Sequence, residues 1–411
     1  MTTSATVPPI ESVAPNLKTR ADAGTFSGIS KILLAVGVLA LAASWYFADH
    51  DQFLFSYLVS YMYVLSLMLG AMFFVMVQHL TRAGWSVAVR RVTENMMGVT
   101  PLMAILFVPI ALGYHTLFHH WVDKLGLVEG QEGFDAVVAG KSGYLNLEFF
   151  FTRAVLYFVV WTGIAIWFRR ASLAQDQDGD PRRTLRMARV AAPCMLLFAL
   201  SITFASIDWM MSLDPHWFST IFGVYYFSGS FLSSMALLGL ILMWMQRKGC
   251  LADSVNTEHF HDVGKLMFAF VVFWTYIAFS QYMLIWYANL PEETMWYQHH
   301  LEGGWGTMGK MLIFGHFCFP FVFLLSRHVK RSRVTLALAA VFLLVMHWID
   351  LHWVVMPTHH HHGPHLTWVD FSTLVGLGAL FFGVFAGFLQ KTPLLPIRDP
   401  RLPESLKFVN H

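Results

Sequence analysis

The sequence has few charged residues, and this shortage excludes whole classes of protein. Asp, Glu, Lys and Arg make up 13% of the 411 residues, against about 25% in a typical soluble domain. With 56% hydrophobic residues, a soluble fold would lack the polar surface that it needs. The formal net charge of +2 at pH 7 excludes a strongly basic protein that binds nucleic acid. The composition therefore predicts an integral membrane protein.

Cysteine is also scarce. Cys194, Cys250 and Cys318 are isolated from one another and form no CxxC or CxxCH motif. This excludes a covalently attached c-type haem and an iron–sulfur cluster held by this chain alone. A b-type haem would need two imidazoles at similar depth on facing helices, and His115 with His316 or His347 would satisfy the depth. None of them belongs to a strong paired-histidine pattern, so we expect no metal or haem bound by this chain alone.

Apolar stretches long enough to cross a membrane are abundant. A helix that crosses the hydrocarbon core needs about 20 mostly apolar residues. Ten stretches qualify: Ile29–Phe47, Phe53–His79, Met97–Phe118, Leu147–Phe168, Val190–Met211, Thr220–Met245, Val263–Ala288, Gly309–Ser326, Val334–Met356 and Val369–Gln390. The sequence predicts an all-α integral membrane protein with ten transmembrane helices, here numbered as spans one to ten.

The basic residues lie almost entirely on one side of the predicted membrane. The segments on the side of the two termini contain 21 Lys and Arg, whereas the opposite loops contain only Lys124 and Lys141. The positive-inside rule then places both termini in the cytoplasm. We predict a cytoplasmic N-terminal segment over residues 1–28, a membrane domain over 29–390 and a cytoplasmic C-terminal tail over 391–411.

Spans five and nine resemble each other, which indicates an internal repeat. Each begins with Arg-Val, at Arg189 and Arg333, and carries an Ile-Asp pair that ends at Asp208 or Asp350. The aspartates follow those arginines by 19 and 17 residues. We therefore predict two parallel four-helix bundles, residues 53–211 and 220–356, flanked by spans one and ten.

Polar residues inside a membrane are costly and are usually paired or functional. Seven fall in the half opposite the termini: His115, Arg153, Asp208, Gln281, His316, His347 and Asp350. Three more lie at the cytoplasmic ends: Glu94, Asp262 and Lys265. His347 and Asp350 are three residues apart and share a helix face.

Structural roles are open for the same side chains. Asp208 and Asp350 lie close enough to the interface to be solvated or to cap neighbouring chain ends. Arg153 either extends outward to the interface or neutralises one of those aspartates. His115 and His316 are also compatible with hydrogen-bonded packing.

Three long segments carry a resemblance to a known family. They are LVSYMYVLSLMLGAMFFVMVQHLTRAGWSVAVRR (58–91), DWMMSLDPHWFSTIFGVYYF (208–227) and AFSQYMLIWYANLPEET (278–294). They resemble the ActF-type subunits of bacterial alternative complex III, a quinol:cytochrome c oxidoreductase, which belong to the NrfD-like family of membrane subunits. The resemblance covers most of spans two to nine, and it implies two four-helix bundles.

The resemblance also implies partners and a location. The partner subunits would be a multihaem cytochrome c, an iron–sulfur subunit and a second NrfD-like subunit, with a terminal cytochrome oxidase as a further candidate. The haems and iron–sulfur clusters would belong to those partners, and quinone or quinol would contact the membrane subunits among the lipids. The chain would lie in the bacterial cytoplasmic membrane.

The expected function is a contribution to quinol interaction, proton translocation or both. Quinol oxidation releases protons together with electrons, so a site needs a base and a route to water. The seven residues in the half opposite the termini are the candidates for quinone contact or a proton pathway, and the three at the cytoplasmic ends are candidates for proton entry. Two alternatives remain: a structural scaffold whose polar groups hold helices together, and a transporter of protons or small solutes.

Overall fold

Helices form the whole of the secondary structure in the residues that the structure describes. The structure, a computed structural model, describes residue 7 and residues 26–361 and 363–409. The predicted N-terminal segment lies outside the described residues except for residues 7 and 26–28. Ten helices in the described ranges are long and apolar enough to cross a membrane. The protein is therefore an all-α, multi-pass membrane protein, as the sequence predicted.

The ten spans, numbered as before, are longer than the predicted apolar stretches in most cases. They are Ser27–Phe47, His50–Leu80, Val87–Leu112, Leu147–Asp178, Arg182–Leu213, Phe222–Arg247, Thr257–Ala288, Gly303–Leu325, Arg333–Thr358 and Trp368–Lys391. Local sequence signals fix several of these ends. Asn146 caps the start of span four by accepting a hydrogen bond from the Phe149 amide at 2.9 Å. Gly179 ends the same span in a left-handed conformation, with φ of +66°.

Span three differs most from its prediction. It begins at Val87 rather than Met97, and its helical pieces are Val87–Met97, Thr100–Leu106 and Val108–Leu112. Pro101 and Pro109 each lie in the first turn of a piece, because proline lacks the amide hydrogen that would continue the preceding helix. The charged first piece remains helical because it is buried within the protein.

The packing places spans two and six at the centre. These two spans are the most enclosed by other helices, and they pack against each other. Spans two to five close into one ring of four helices, and spans six to nine close into a second. Span ten packs along span one and against span two. The two predicted bundles with flanking helices are therefore present.

Shorter helices connect the spans. They are Tyr114–Leu117, His119–Val122 and Ala136–Gly140 before span four, Pro291–Leu301 before span eight, Arg327–Arg331 before span nine and Leu402–Leu406 in the tail. Span eight contains a π-helical turn over Ile313–Cys318.

The connection before span four is fastened to the segment that follows span five. Lys124 Nζ and His216 Nε2 lie 2.7 and 2.8 Å from Asp135 Oδ2. Burial acts to raise the pKa of Asp135, but the hydrogen bonds from Lys124, Val138 and His216 outweigh it and hold that pKa well below its usual value. Lys141 Nζ also donates to the Pro215 carbonyl at 2.6 Å. These contacts hold the connection before span four against the segment that follows span five.

Candidate functional site

Asp208 is buried in the first bundle and fully compensated by donors. Arg153 Nε and Nη2 donate to its two carboxylate oxygens at 2.8 and 2.9 Å. The Tyr157 hydroxyl donates to Oδ2 at 2.6 Å. Of the alternatives for Arg153, neutralisation of an aspartate is therefore the one that the structure shows.

The surroundings of Arg153 hold it in that orientation. Its Nη1 donates to the Tyr144 carbonyl at 3.0 Å. Its guanidinium carbon lies 3.8 Å from the centre of the Tyr144 ring and 4.3 Å from that of Phe149. Two aromatic contacts and two hydrogen bonds to one carboxylate fix the guanidinium in place. The Arg153–Asp208 pair is a closed, charge-neutral unit.

Asp350 is buried in the second bundle with a different set of partners. The Tyr225 hydroxyl donates to its Oδ1, and Trp274 Nε1 lies 3.2 Å from its Oδ2. His347 Nδ1 is 3.9 Å from Oδ2, so the two residues do share a helix face as the spacing predicted. Among the described residues, no Lys or Arg forms an ion pair with Asp350.

Two buried histidines lie in this region: His347 beside the carboxylate and His316 beside Trp274. His316, within the π-helical turn of span eight, lies with its ring centre 4.0 Å from that of Trp274 and 6.4 Å from that of His347. Both ring nitrogens of His316, and Nδ1 of His347, have no hydrogen-bond partner within the described part of the chain. Buried nitrogens without a protein partner are uncommon and are explained by, among other causes, a bound water. We call Asp350, His347, His316, Tyr225 and Trp274 the Asp350 cluster.

The Asp350 cluster touches the first bundle through His347. Its Nε2 lies 2.9 Å from Ser66 Oγ on span two. Gly229 on span six makes this approach possible, because a Cβ atom there would lie 2.7 Å from His347 Cε1. The cluster therefore lies where span two of the first bundle meets spans six and nine of the second.

Asp208 and Asp350 both lie near the later end of their spans. Asp208 is five residues, and Asp350 eight residues, from the end of its span, or about 8 and 12 Å at the helical rise of about 1.5 Å per residue. The two carboxylates differ in their surroundings, because within the described residues only Asp208 has a cationic partner.

Gln281 belongs to a separate polar group on span seven. Its Oε1 accepts from Ser219 Oγ at 2.8 Å, and its Nε2 donates to the Tyr297 hydroxyl at 3.1 Å. Seven residues separate it from Trp274, about 10 Å along the helix. It lies further from the cation-rich side, the side with most of the Lys and Arg, than the Asp350 cluster does.

His115 is not brought to either carboxylate. Its side chain is 71% exposed, and its Nε2 lies 3.2 Å from Asp123 Oδ1. It lies on the short helix Tyr114–Leu117, beyond the end of span three at Leu112. Its inclusion with the buried candidates is therefore a correction: depth along the sequence did not show that the side chain faces outward.

Glu94 lies in a buried charge cluster on the cation-rich side. Arg90 Nε and Arg91 Nε lie 3.1 and 3.0 Å from its two oxygens. Arg90 also pairs with Asp399 at 2.6 Å, and Arg91 with Asp176 at 2.7 Å. These bonds join span three to span four and to the C-terminal tail.

Asp262 and Lys265 form another pair on the same side. Their oxygen and nitrogen lie 2.5 Å apart, and the Lys265 side chain is 47% exposed. On the helix Arg327–Arg331 nearby, Lys330 Nζ donates to the Leu324 carbonyl at 2.6 Å, and burial lowers the pKa of Lys330. The three candidates for proton entry therefore belong to two different clusters, with Asp262 and Lys265 on the span that also carries Trp274.

Several residues of these sites were not singled out from the sequence. They are Tyr157, Tyr225, Trp274 and Ser66. A Tyr, Trp or Ser in an apolar helix looks the same in the sequence whether it faces lipid or a buried acid. Tyr225 and Ser66 carried a signal, since they lie in the motifs at 208–227 and 58–91.

Comparisons with known proteins add no family assignment. No family model matches the chain, and no curated protein matches it. In the described residues, no group of three or more His, Cys, Asp or Glu could hold a metal ion.

Proposed function

We propose that this chain is a proton-handling membrane subunit of a respiratory quinol:electron-acceptor oxidoreductase of the alternative complex III type. The observation that carries the proposal is the Asp350 cluster. It contains a buried carboxylate that no Lys or Arg compensates in the described residues, and two buried histidines with unpartnered nitrogens.

The chemistry of the cluster suits proton exchange. Arg153 donates two hydrogen bonds to the Asp208 carboxylate, whereas in the described residues Asp350 receives only neutral donors, from Tyr225 and Trp274. A buried carboxylate without a counter-charge is costly while ionised, so binding a proton relieves that cost. His347, 3.9 Å away, can accept the same proton.

Polar groups lie on both sides of the cluster. Toward the cation-rich side, Lys265 lies nine residues before Trp274 on span seven, about 14 Å along the helix. In the other direction lies the group of Gln281, Ser219 and Tyr297. We propose that internal water joins these groups to the cluster.

The assignment to a quinol-oxidising complex rests on the resemblance of the three long segments. Two of them contain Asp208, Tyr225 and Gln281. Quinol oxidation releases protons, and a membrane subunit beside the quinol site would carry them. In this proposal the haems and iron–sulfur clusters belong to partner subunits.

The test is Asp350→Asn in the intact complex, purified and placed in lipid vesicles. Proton release or uptake per electron is followed with a pH indicator while quinol is oxidised. We expect the variant to assemble but to move at least about tenfold fewer protons, because Asn keeps the size and one acceptor oxygen but cannot ionise. Asp350→Glu should restore part of the proton movement.

Asp370→Asn is the matched control. Asp370 is another buried carboxylate with hydrogen-bond donors, Ser56 Oγ at 2.6 Å and the Thr367 amide at 2.7 Å, but it lies outside the cluster. An unchanged proton yield in Asp350→Asn would refute the proton role. Loss of the whole complex in Asp350→Asn and in Asp350→Glu would instead support the scaffold alternative, which the closed Arg153–Asp208 pair favours for the first bundle.

A further inference from the structure

A long apolar groove lies on the outside of the first bundle. It has a volume of about 1060 Å³ and runs between spans three and four to the start of span five. Its wall on span four extends from Phe151 to Ala174, about 35 Å at the helical rise. Three arginines line one end: Arg170, Arg183 and Arg186.

The arginines at this end of the groove outnumber the acidic residues near them in the chain. The segment at 169–189 contains six Arg and three Asp. Two of the aspartates are already engaged, Asp176 with Arg91 and Asp178 with Arg183. Arg170 and Arg186 form no ion pair in the described part of the chain and are exposed.

Gly163 leaves the middle of the groove open. It is an exposed residue in span four, and a Cβ atom at this position would meet no protein atom within 4 Å. A glycine in a helix costs about 1 kcal/mol relative to alanine. Among the described residues, no neighbouring atom excludes a larger side chain at position 163. Such a side chain would project into the groove.

The structure points to an anionic phospholipid as the occupant: we propose that its phosphate lies on Arg170 and Arg186 and that an acyl chain follows the groove past Gly163. The apolar wall suits an acyl chain, and the arginines lie at the cation-rich end of the groove. Basic residues near the ends of membrane-crossing helices attract anionic lipid. This inference does not depend on the proposed proton role.

The charge at one end of the groove disfavours other occupants. An apolar helix of a partner subunit could cover the groove but would leave Arg170 and Arg186 without a counter-charge. A quinone has a neutral headgroup and would leave the two arginines uncompensated.

The test compares two lipids on the purified full-length chain by native mass spectrometry. The probes are phosphatidylglycerol and phosphatidylcholine with identical acyl chains. We expect one phosphatidylglycerol to bind in preference to phosphatidylcholine. Arg170→Gln with Arg186→Gln should weaken phosphatidylglycerol binding about 30-fold, from about fivefold for each basic residue. Arg247→Gln with Lys248→Gln, two exposed cations on the same side but outside the groove, should leave it unchanged.

Gly163→Trp tests the acyl part of the proposal. The indole would fill the groove and lower the binding of both lipids, whereas Gly378→Trp on span ten, which also meets no atom within 4 Å, should lower neither. Equal binding of the two lipids by the native chain would overturn the proposal. Unchanged binding of the lipids by Gly163→Trp would also overturn it. A bound quinone that phosphatidylglycerol fails to displace would do the same.

Discussion

Arg153 and Asp208 form an ion pair with two hydrogen bonds that joins spans four and five, Nε to Oδ2 at 2.8 Å and Nη2 to Oδ1 at 2.9 Å. Asp350, which lies near the end of span nine in the second bundle, has no such partner in the described residues. The two acids therefore lie in different electrostatic settings. The two bundles are expected to respond differently to mutation.

The first bundle should lose stability when either member of its ion pair is removed alone. Arg153→Met leaves the Asp208 carboxylate buried without a counter-charge, and Asp208→Leu leaves the guanidinium buried without one; each typically costs about 3–5 kcal/mol. Arg153→Met combined with Asp208→Leu should cost much less, because no charge remains buried. The measurement is the unfolding of the purified chain in detergent, analysed as a double-mutant cycle. Additive losses in the double variant would show that the pair is not coupled.

Gly229→Ala should disturb the Asp350 cluster through a steric contact. The new Cβ would lie 2.7 Å from His347 Cε1 and 2.8 Å from its Nδ1, so the ring must leave the position in which its Nε2 meets Ser66 Oγ. Overpacking of this kind costs about 1–3 kcal/mol, and proton movement by the complex should fall. Gly239→Ala on the same span is the control, since its Cβ would meet Val263 only at 3.7 Å. Equal behaviour of the two variants in unfolding and proton assays would contradict this prediction.

The helix Pro291–Leu301 should make the protein sensitive to acid through His300. Burial lowers the pKa of His300 to about 4, from an ordinary value of about 6.5. The unfolded chain binds a proton before the folded protein does, so the free energy of unfolding falls as the pH drops from about 6.5 toward 4. The full effect is about 3 kcal/mol.

Thermal unfolding at pH 7.5 and pH 5.0 measures this effect. His300→Gln should narrow the difference between the two pH values, although it loses some stability at pH 7.5. His115→Gln removes a histidine whose side chain is 71% exposed and should leave the difference as in the native chain. The prediction fails if His300→Gln is as sensitive to acid as the native chain.

The C-terminal tail should be released when its buried ion pair is removed. Asp399 accepts from Arg90 Nη2 at 2.6 Å, and both side chains are almost fully buried. Asp399→Asn should cost about 1–3 kcal/mol, as expected for the loss of a charged hydrogen bond, and should expose residues 392–409 to protease. Glu404→Gln is the control: its pair with Arg401 is largely exposed, and such pairs contribute about 0–1 kcal/mol. Equal cleavage of the tail in both variants would argue against an anchoring role for Asp399.

The number of spans was predictable because it depends on a local property. A run of about 20 apolar residues is a membrane-crossing helix wherever it occurs in the fold. The ends were less predictable, since the helical piece Val87–Met97 is rich in charge and polar groups. It is buried only because Glu94, Asp176 and Asp399 meet its two arginines.

The candidate residues were predictable as types but not as a site. The cost of a polar group in a membrane was enough to select Asp208, Asp350 and His347 from the sequence. The partners lie far away along the chain: Arg153 is 55 residues from Asp208, and Tyr225 is 125 residues from Asp350. Hydropathy reports depth in the membrane but not which way a side chain faces, so His115 was grouped with buried residues that it does not meet.

The sequence by itself therefore determined the membrane class, the ten helices and the repeated Ile-Asp positions, because apolar length and spacing are properties of the chain alone. Only the tertiary structure decided that Asp208 pairs with Arg153 while Asp350 faces His347 and, in the described part of the chain, meets no Lys or Arg. The reason is that compensation of a buried charge depends on three-dimensional contacts within a few ångströms. Those contacts exist only after the two rings of helices have packed.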